Sequence, residues 1–415
     1  MGLDKQSILD ASSRYICPGR VRMLGAVGID LVIGRREGYR IWDIDGRKLI
    51  DCHLNGGVFN LGHRNPEVLD ALRGALESLD IGNHHFPSVA RAELGETLAR
   101  LTPGELQFSV FASGGGEAID AAIKSARHAT KRRKIVSIDK AYHGHTGLAL
   151  AVGEERYARM FLSDEPKADY AHVPFNDLES LERELANNDA AAVILETIPA
   201  TLGFPMPDEG YLGGVRSLCT RYGALYIADE VQTGLGRTGR LWGVDSYGVV
   251  PDVLVTGKGL SGGLYPIAAA VLSPKAAAWL EEDGWGHVST FGGSEVGCRV
   301  ALKVLEITTR PEVVANAVRV SEILGGGLRE LQRRYGEWFV EVRARGLVMG
   351  LRFGRPDGAL LMAKALYDSG LWAMFAAYDR SVLQFKPGLL LDERTCSEIL
   401  ERFETGLRRC VAGLR

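Results

Sequence analysis

The spacing of apolar and polar residues divides the 415-residue chain into three stretches of different period. Near the start, GYRIWDIDGRKLIDC (38–52) alternates apolar and polar positions around Asp45-Gly46. A period of two centred on an Asp-Gly pair predicts a β-hairpin. A Gly-rich loop through Gly62 follows, and Asn65-Pro66 opens an amphipathic helix, since proline is tolerated at the first helical position. From there to about residue 305, short β-rich runs at 108–112, 134–138, 192–195, 224–228, 253–256 and 267–272 alternate with helix-period segments such as 118–130 and 178–187. Short apolar strands joined by crossover helices predict an α/β fold with a mostly parallel sheet covered on both faces. Beyond about Ala301 come a long helix at 311–334, a strand pair within 340–353, a helix near 360–371 and a final amphipathic helix from Asp392. With the N-terminal hairpin, this last stretch is expected to form a smaller α+β lobe. The expected division is 1–60 and 306–415 for the small domain and 61–305 for the large one.

Composition narrows the function classes. The length exceeds one ordinary core, and 46% hydrophobic with 24% charged residues is the balance of a soluble globular protein. A net charge of −3 supplies no large basic field, so neither nucleic acid nor membrane is an expected partner. No apolar run approaches the ~20 residues of a membrane span. The stretch MGLDKQSILDASSRYICPG lacks the apolar middle of a signal peptide, and a cytoplasmic location is expected. Six cysteines (Cys17, Cys52, Cys219, Cys298, Cys396, Cys410) are scattered without a CxxC pair, as idle thiols in a reducing compartment would be. His84-His85 and His143-Gly144-His145 lack cysteine or carboxylate partners at ligand spacing, and no metal is expected.

In such sheets ligands bind outside the carboxyl ends of the strands, and several unusual residues fall there. The segment DVLVTGKGLSGGL (252–264) ends an apolar run in Lys258, between Gly257 and Gly259. A desolvated lysine becomes a neutral nucleophile that forms Schiff bases with carbonyls. Taken alone, the segment reads more simply as a surface lysine in a turn. Ser113-Gly114-Gly115-Gly116-Glu117 joins a strand to a helix. Its glycines let backbone N–H groups approach a phosphate at the helix N-terminus, although a plain tight turn has the same sequence. Tyr142, in KAYHGH, suits packing on a flat ring. Asp229-Glu230 ends a buried strand and needs a cation or dense hydrogen bonding. A protonated ring nitrogen would serve Asp229, while Glu230 is expected in a structural ion pair. Glu196 is another acid at a strand end, and Ser289-Thr290-Phe291-Gly292-Gly293 offers further phosphate donors. An activated lysine, a phosphate cradle, an aromatic platform and a buried acid together describe a pyridoxal 5′-phosphate site.

These motifs, in this order, resemble the class III (omega-type) aminotransferases of fold type I over nearly the whole chain. IWDIDGRKLIDC, NLGHRNPEV, SGGGEAIDAAIKSAR, YHGHT, LYIADEVQTGLGRTG, VTGKGLSGGLYP and STFGGS carry the resemblance. It implies a mostly parallel seven-stranded sheet flanked by helices, with a smaller α+β domain built from both termini. It implies pyridoxal 5′-phosphate contacts by Gly115, Gly116, Tyr142, His143, Glu196, Asp229, Val231, Gln232, Lys258 and Thr290. Lys258 would be the Schiff-base lysine and proton shuttle, and Asp229 would pair with the ring nitrogen. Val231 and Tyr142 would sandwich the ring, and Gln232 would reach its phenolic oxygen. Thr290 would arrive from the other subunit of a homodimer with shared active sites.

Departures from the family pattern concern mainly the substrate. Gly116 stands where Ser or Thr is usual. Gln384 replaces an arginine that grips a substrate carboxylate, and an amide cannot make that charged fork. Lys386, on the same strand face, is expected to point to solvent. Thr201 replaces the glutamate that covers the arginine, so both halves of the carboxylate switch are absent. Phe59, Thr201 and Gln384, with Gly57, Val58 and residues near Trp285, are the substrate-pocket candidates. The resemblance implies a ping-pong aminotransferase acting on a small-molecule amino donor and an aldehyde, ketone or 2-oxo acid acceptor. An aminomutase or amino acid racemase on the same fold is the alternative. A non-catalytic cofactor-binding regulatory module is a remote one, because fold alone does not fix function.

Overall fold

In the computed structural model, which describes residues 4–163 and 165–413, the central apolar runs pair into one seven-stranded sheet. Its order is Phe108–Ala112, Ala268–Leu272, Val253–Thr256, Leu225–Asp229, Ala190–Glu196, Lys134–Ile138 and Tyr170–Val173. Ala268–Leu272 runs antiparallel to both neighbours and the remaining pairs are parallel. The expected α/β architecture is present. The edge strand Tyr170–Val173 was not evident from the sequence, because only Val173 is buried and the run is not continuously apolar.

Both faces of the sheet are covered, which is why its central strands read as unbroken apolar runs. Every residue of Ala190–Glu196 is buried. Ala192 and Ile194 pack into the layer that holds Ala118, Ile119 and Ala122 of the helix Gly115–Thr130. Val193 and Leu195 face the opposite layer, against Val215 and Cys219 of the helix Tyr211–Tyr222. Each fully buried Val, Leu or Ile contributes roughly 1.5–3 kcal/mol, so register is fixed from both sides.

The hairpin Arg40–Asp43/Lys48–Asp51 turns through Gly46 at φ +90°. Leu371–Trp372 joins it in parallel, stitching the N-terminal segment to the C-terminal one. A second sheet, Phe339–Arg345, Val348–Phe353, Val382–Phe385 and Met374–Phe375, shares a core with the helices Pro311–Arg334, Gly358–Asp368 and Glu393–Gly413. Among the described residues, no helix is long and apolar enough to cross a membrane.

Candidate active site

Three strand ends converge on Lys258. Beyond Val253–Thr256 the chain extends through Gly257 and turns at Lys258 with φ +40°, a left-handed conformation that costs a side-chain-bearing residue about 1–3 kcal/mol. The turn is fastened by Ser261, whose hydroxyl donates to the Lys258 carbonyl at 2.6 Å and accepts from the Gly263 N–H at 3.0 Å. Gly259 is required by close approach, since a Cβ there would lie 2.9 Å from Asn60 Nδ2 and 3.1 Å from the Gly57 carbonyl. Burial lowers the Lys258 pKa from its ordinary value, while Asp229 and Glu196 pull it back up. The amine is therefore closer to its nucleophilic neutral form than a surface lysine would be.

Asp229 and Glu196 are register partners at the ends of adjacent parallel strands. His143 Nδ1 lies 2.8 Å from Asp229 Oδ2, and the other Asp229 oxygen accepts from the Val231 N–H at 3.0 Å. Ser137 Oγ sits 3.2 Å from His143 Nε2 and fixes the far side of the ring. Glu196 accepts from the Tyr142 N–H at 3.2 Å and the Ala200 N–H at 3.1 Å. Burial nevertheless pushes its carboxyl up to about 7. Glu230 is not in the expected ion pair. It accepts from the hydroxyls of Thr197 and Thr233 and from the Gly243 and Val244 N–H groups at 2.7 and 2.9 Å. Donors from a returning loop replace the cation.

Gly114 precedes the helix Gly115–Thr130, and Glu117 folds back to accept from the Ser113 N–H at 2.8 Å. A Cβ on Gly115 would lie 3.2 Å from Val231 Cγ1. At Gly116 it would lie 2.8 Å from Thr146 Oγ1, so the Thr146 hydroxyl fills the space of a residue-116 side chain. Thr146 was missed because no spacing rule links these two loops.

A cavity of about 220 Å³ sits between these elements. It is lined by Gly115, Gly116, Tyr142, His143, Glu196, Asp229, Val231, Gln232 and Lys258, together with Gly144, Ile198 and Thr233, which sequence reasoning had not singled out. Several residues named beforehand, Gly57 and Val58 among them, are not part of its lining. Thr290 is exposed on a loop. Phe59 stacks on His63 at 3.9 Å beside a separate hollow edged by Arg35 and Arg64. Thr201 is half-buried, with its hydroxyl 3.4 Å from the Lys140 carbonyl. Gln384 is buried and donates to the Ala200 carbonyl at 2.9 Å. Lys386 contradicts its expectation outright. It is 2% exposed and points inward, because both faces of the Val382–Phe385 strand are covered. A larger hollow of about 720 Å³ lies among the helices Pro66–Leu76, Val89–Leu101 and Glu295–Thr308. It is edged by exposed charges such as Glu93 and Arg299, which pair with each other, and gathers no comparable set of buried reactive groups.

The smaller cavity fits pyridoxal 5′-phosphate. It combines a half-buried amine, a carboxylate held by His143, a helix N-terminus stripped of Cβ atoms and an aromatic wall. Comparison with known proteins agrees. Residues 24–407 match the family model of class III aminotransferases. An uncharacterized aminotransferase of Archaeoglobus fulgidus is 49% identical over 96% of this chain and 93% of its own length. The putrescine aminotransferase of Pectobacterium atrosepticum is 32% identical over 97% and 89%. The ornithine aminotransferase of Toxoplasma gondii, solved with partial occupancy of pyridoxal phosphate at its active site, superposes with a TM-score of 0.86 at 26% identity, over 98% of this chain and 95% of that one. The chain belongs to the class III aminotransferases, enzymes that transfer amino groups with pyridoxal 5′-phosphate.

Proposed function

We propose that Lys258 is the covalent anchor and proton carrier of this aminotransferase and that Asp229 faces the ring nitrogen of the cofactor. The observation that carries the reading is the half-buried Lys258 amine, facing Asp229 and Glu196 across one small cavity. When bound, the cofactor supplies an electron sink for the substrate carbon that bears the amino group. The protein does the rest. N–H groups of Gly115 and Gly116 receive the phosphate at the helix N-terminus. Tyr142 and Val231 bracket the ring, and Gln232 donates to its phenolic oxygen. His143 keeps Asp229 oriented, and Glu196 holds the backbone of Tyr142. Nζ of Lys258 carries the proton from the substrate carbon.

The donor is an amine or amino acid and the acceptor an aldehyde, ketone or 2-oxo acid, used in ping-pong order. The relative named for putrescine supports including diamines among the donors tested. The exposed Thr290 sits beside exposed Trp285, Val288 and Phe291, which supports a homodimer in which Thr290 completes the partner's site. A cytoplasmic location and the division into 1–60 with 306–415 and 61–305 belong to the same reading.

The test is Lys258→Ala. The variant should bind cofactor without the absorbance of the lysine linkage and lose turnover by about 10⁴-fold or more, since it removes both nucleophile and base. Retained linkage absorbance with full turnover would end the proposal. With donor alone, the wild-type enzyme should release one equivalent of oxo product per site, which a racemase would not.

A further inference from the structure

Lys386 follows the Val382–Phe385 strand, and its backbone N–H donates to the Cys52 carbonyl at 2.7 Å. Its Nζ donates to Gln384 Oε1 at 2.5 Å and to Gln232 Oε1 at 3.2 Å, and lies 5.5 Å from the centre of the Phe204 ring. Both hydrogen-bond partners are neutral amide oxygens. Burying a lysine against amides alone is costly. Burial holds its pKa well below the ordinary value, Arg237 and Lys258 push the same way, and Asp51 and Glu196 oppose them. His53, half-buried, faces it from the N-terminal segment.

The two glutamines show what the amine does. Gln384 gives its oxygen to Lys386 and its N–H to the Ala200 carbonyl, so its amide has one allowed orientation. Gln232 lines the cavity beside Lys258. With its oxygen held by Lys386, its NH₂ is the end left for the cavity. A glutamine without that anchor could flip, and its oxygen would then confront any oxygen of the cofactor placed there.

Resting on the proposed role of Lys258, we propose that Lys386 is a positioning residue that fixes the amide of Gln232. An N–H donor, rather than a carbonyl oxygen, then faces the phenolic oxygen of the cofactor and sets the proton affinity of the nitrogen joining Lys258 to it. A donor on that oxygen weakens its hold on the shared proton, so the linked nitrogen loses the proton at lower pH. Asp229 and Glu196 act on the same nitrogen from the two strand ends and favour the protonated form.

The experiment is a pH titration of the visible absorbance of the holoenzyme. Lys386→Met keeps the stem and removes the donors, and its midpoint should rise by about one pH unit, a tenfold change in proton affinity. Lys386→Arg, which restores donors, should move the midpoint back toward wild type. In a Gln232→Ala background, Lys386→Met should add no further shift. Should Lys386→Met fail to fold, Lys386→Leu, which also lacks donors, is titrated by the same criteria, and failure of both makes Lys386 a structural strut and overturns the proposal. An unchanged midpoint overturns it, as does a shift that persists without Gln232. So does a defect confined to KM for carboxylate-bearing donors, which would mean that Lys386 touches substrate. A wild-type holoenzyme without a pH-dependent lysine linkage would instead refute the role of Lys258.

Discussion

Glu196→Gln in the cofactor-free protein isolates the cost of placing two carboxylates at adjacent strand ends. The Glu196 carboxyl has a reference value of 4.5 and is pushed up to about 7, first by burial and then by the Asp229 charge, against the pull of His143. A carboxyl with a raised folded-state pKa contributes stability below its unfolded value, and that contribution disappears as pH climbs through the folded value. The gap of about 2.5 pH units, at 1.36 kcal/mol per unit, is worth about 3 kcal/mol between pH 4.5 and 7.5. Glutamine cannot ionise, so the variant escapes this loss. It has a fixed cost instead. Tyr142 and Ala200 N–H groups bond different oxygens of Glu196, and one of them would meet an NH₂, at roughly 1–3 kcal/mol. The variant should therefore be less stable than wild type near pH 5 and equal to it or more stable near pH 8. Urea unfolding of both apo-proteins at half-unit pH steps measures the difference, in which titrating groups remote from Glu196 cancel. Parallel stability profiles would show that Glu196 titrates normally and refute the reasoning.

Gly116→Ser should cost about 1–3 kcal/mol by thermal melting, the price range of overpacking, because the new side chain meets Thr146 Oγ1. Thr146→Ala should restore most of it, and a wild-type melting temperature for the single variant would refute the clash. Glu230→Ala strands the N–H groups of Gly243 and Val244 and should cost roughly 2–6 kcal/mol in urea unfolding. A loss below about 1 kcal/mol would mean that water replaces the carboxylate without strain.

The strands Phe108–Ala112, Lys134–Ile138 and Val253–Thr256 were legible residue for residue, because continuous apolar runs bounded by charge or glycine have few other homes. Tyr170–Val173 was not legible, since an edge strand with one buried residue carries no such pattern. The cavity-lining residues were legible as residues at strand ends, where topology decides the neighbours. Lys386 was misjudged for a physical reason. Alternation tells inside from outside only when one face is solvated, and every residue of Val382–Phe385 is buried. Likewise, Glu230 read as half of an ion pair because hydrogen bonds from Gly243 and Val244 depend on how a loop returns. Local sequence does not encode that.

The grip of Lys386 on Gln232 joins residues 154 positions apart, and the same lysine is tied to Cys52 near the other end of the chain. Non-local contacts of this kind form late, since loop closure must precede them. A nascent chain that has made only the seven-stranded sheet already owns Asp229, the glycine turn at 114–116 and Lys258, yet Gln232 is still unanchored. Pyridoxal 5′-phosphate thus meets a finished seat only after synthesis has passed Lys386. By mass action the vitamin-derived ligand stabilises complete molecules over truncated ones.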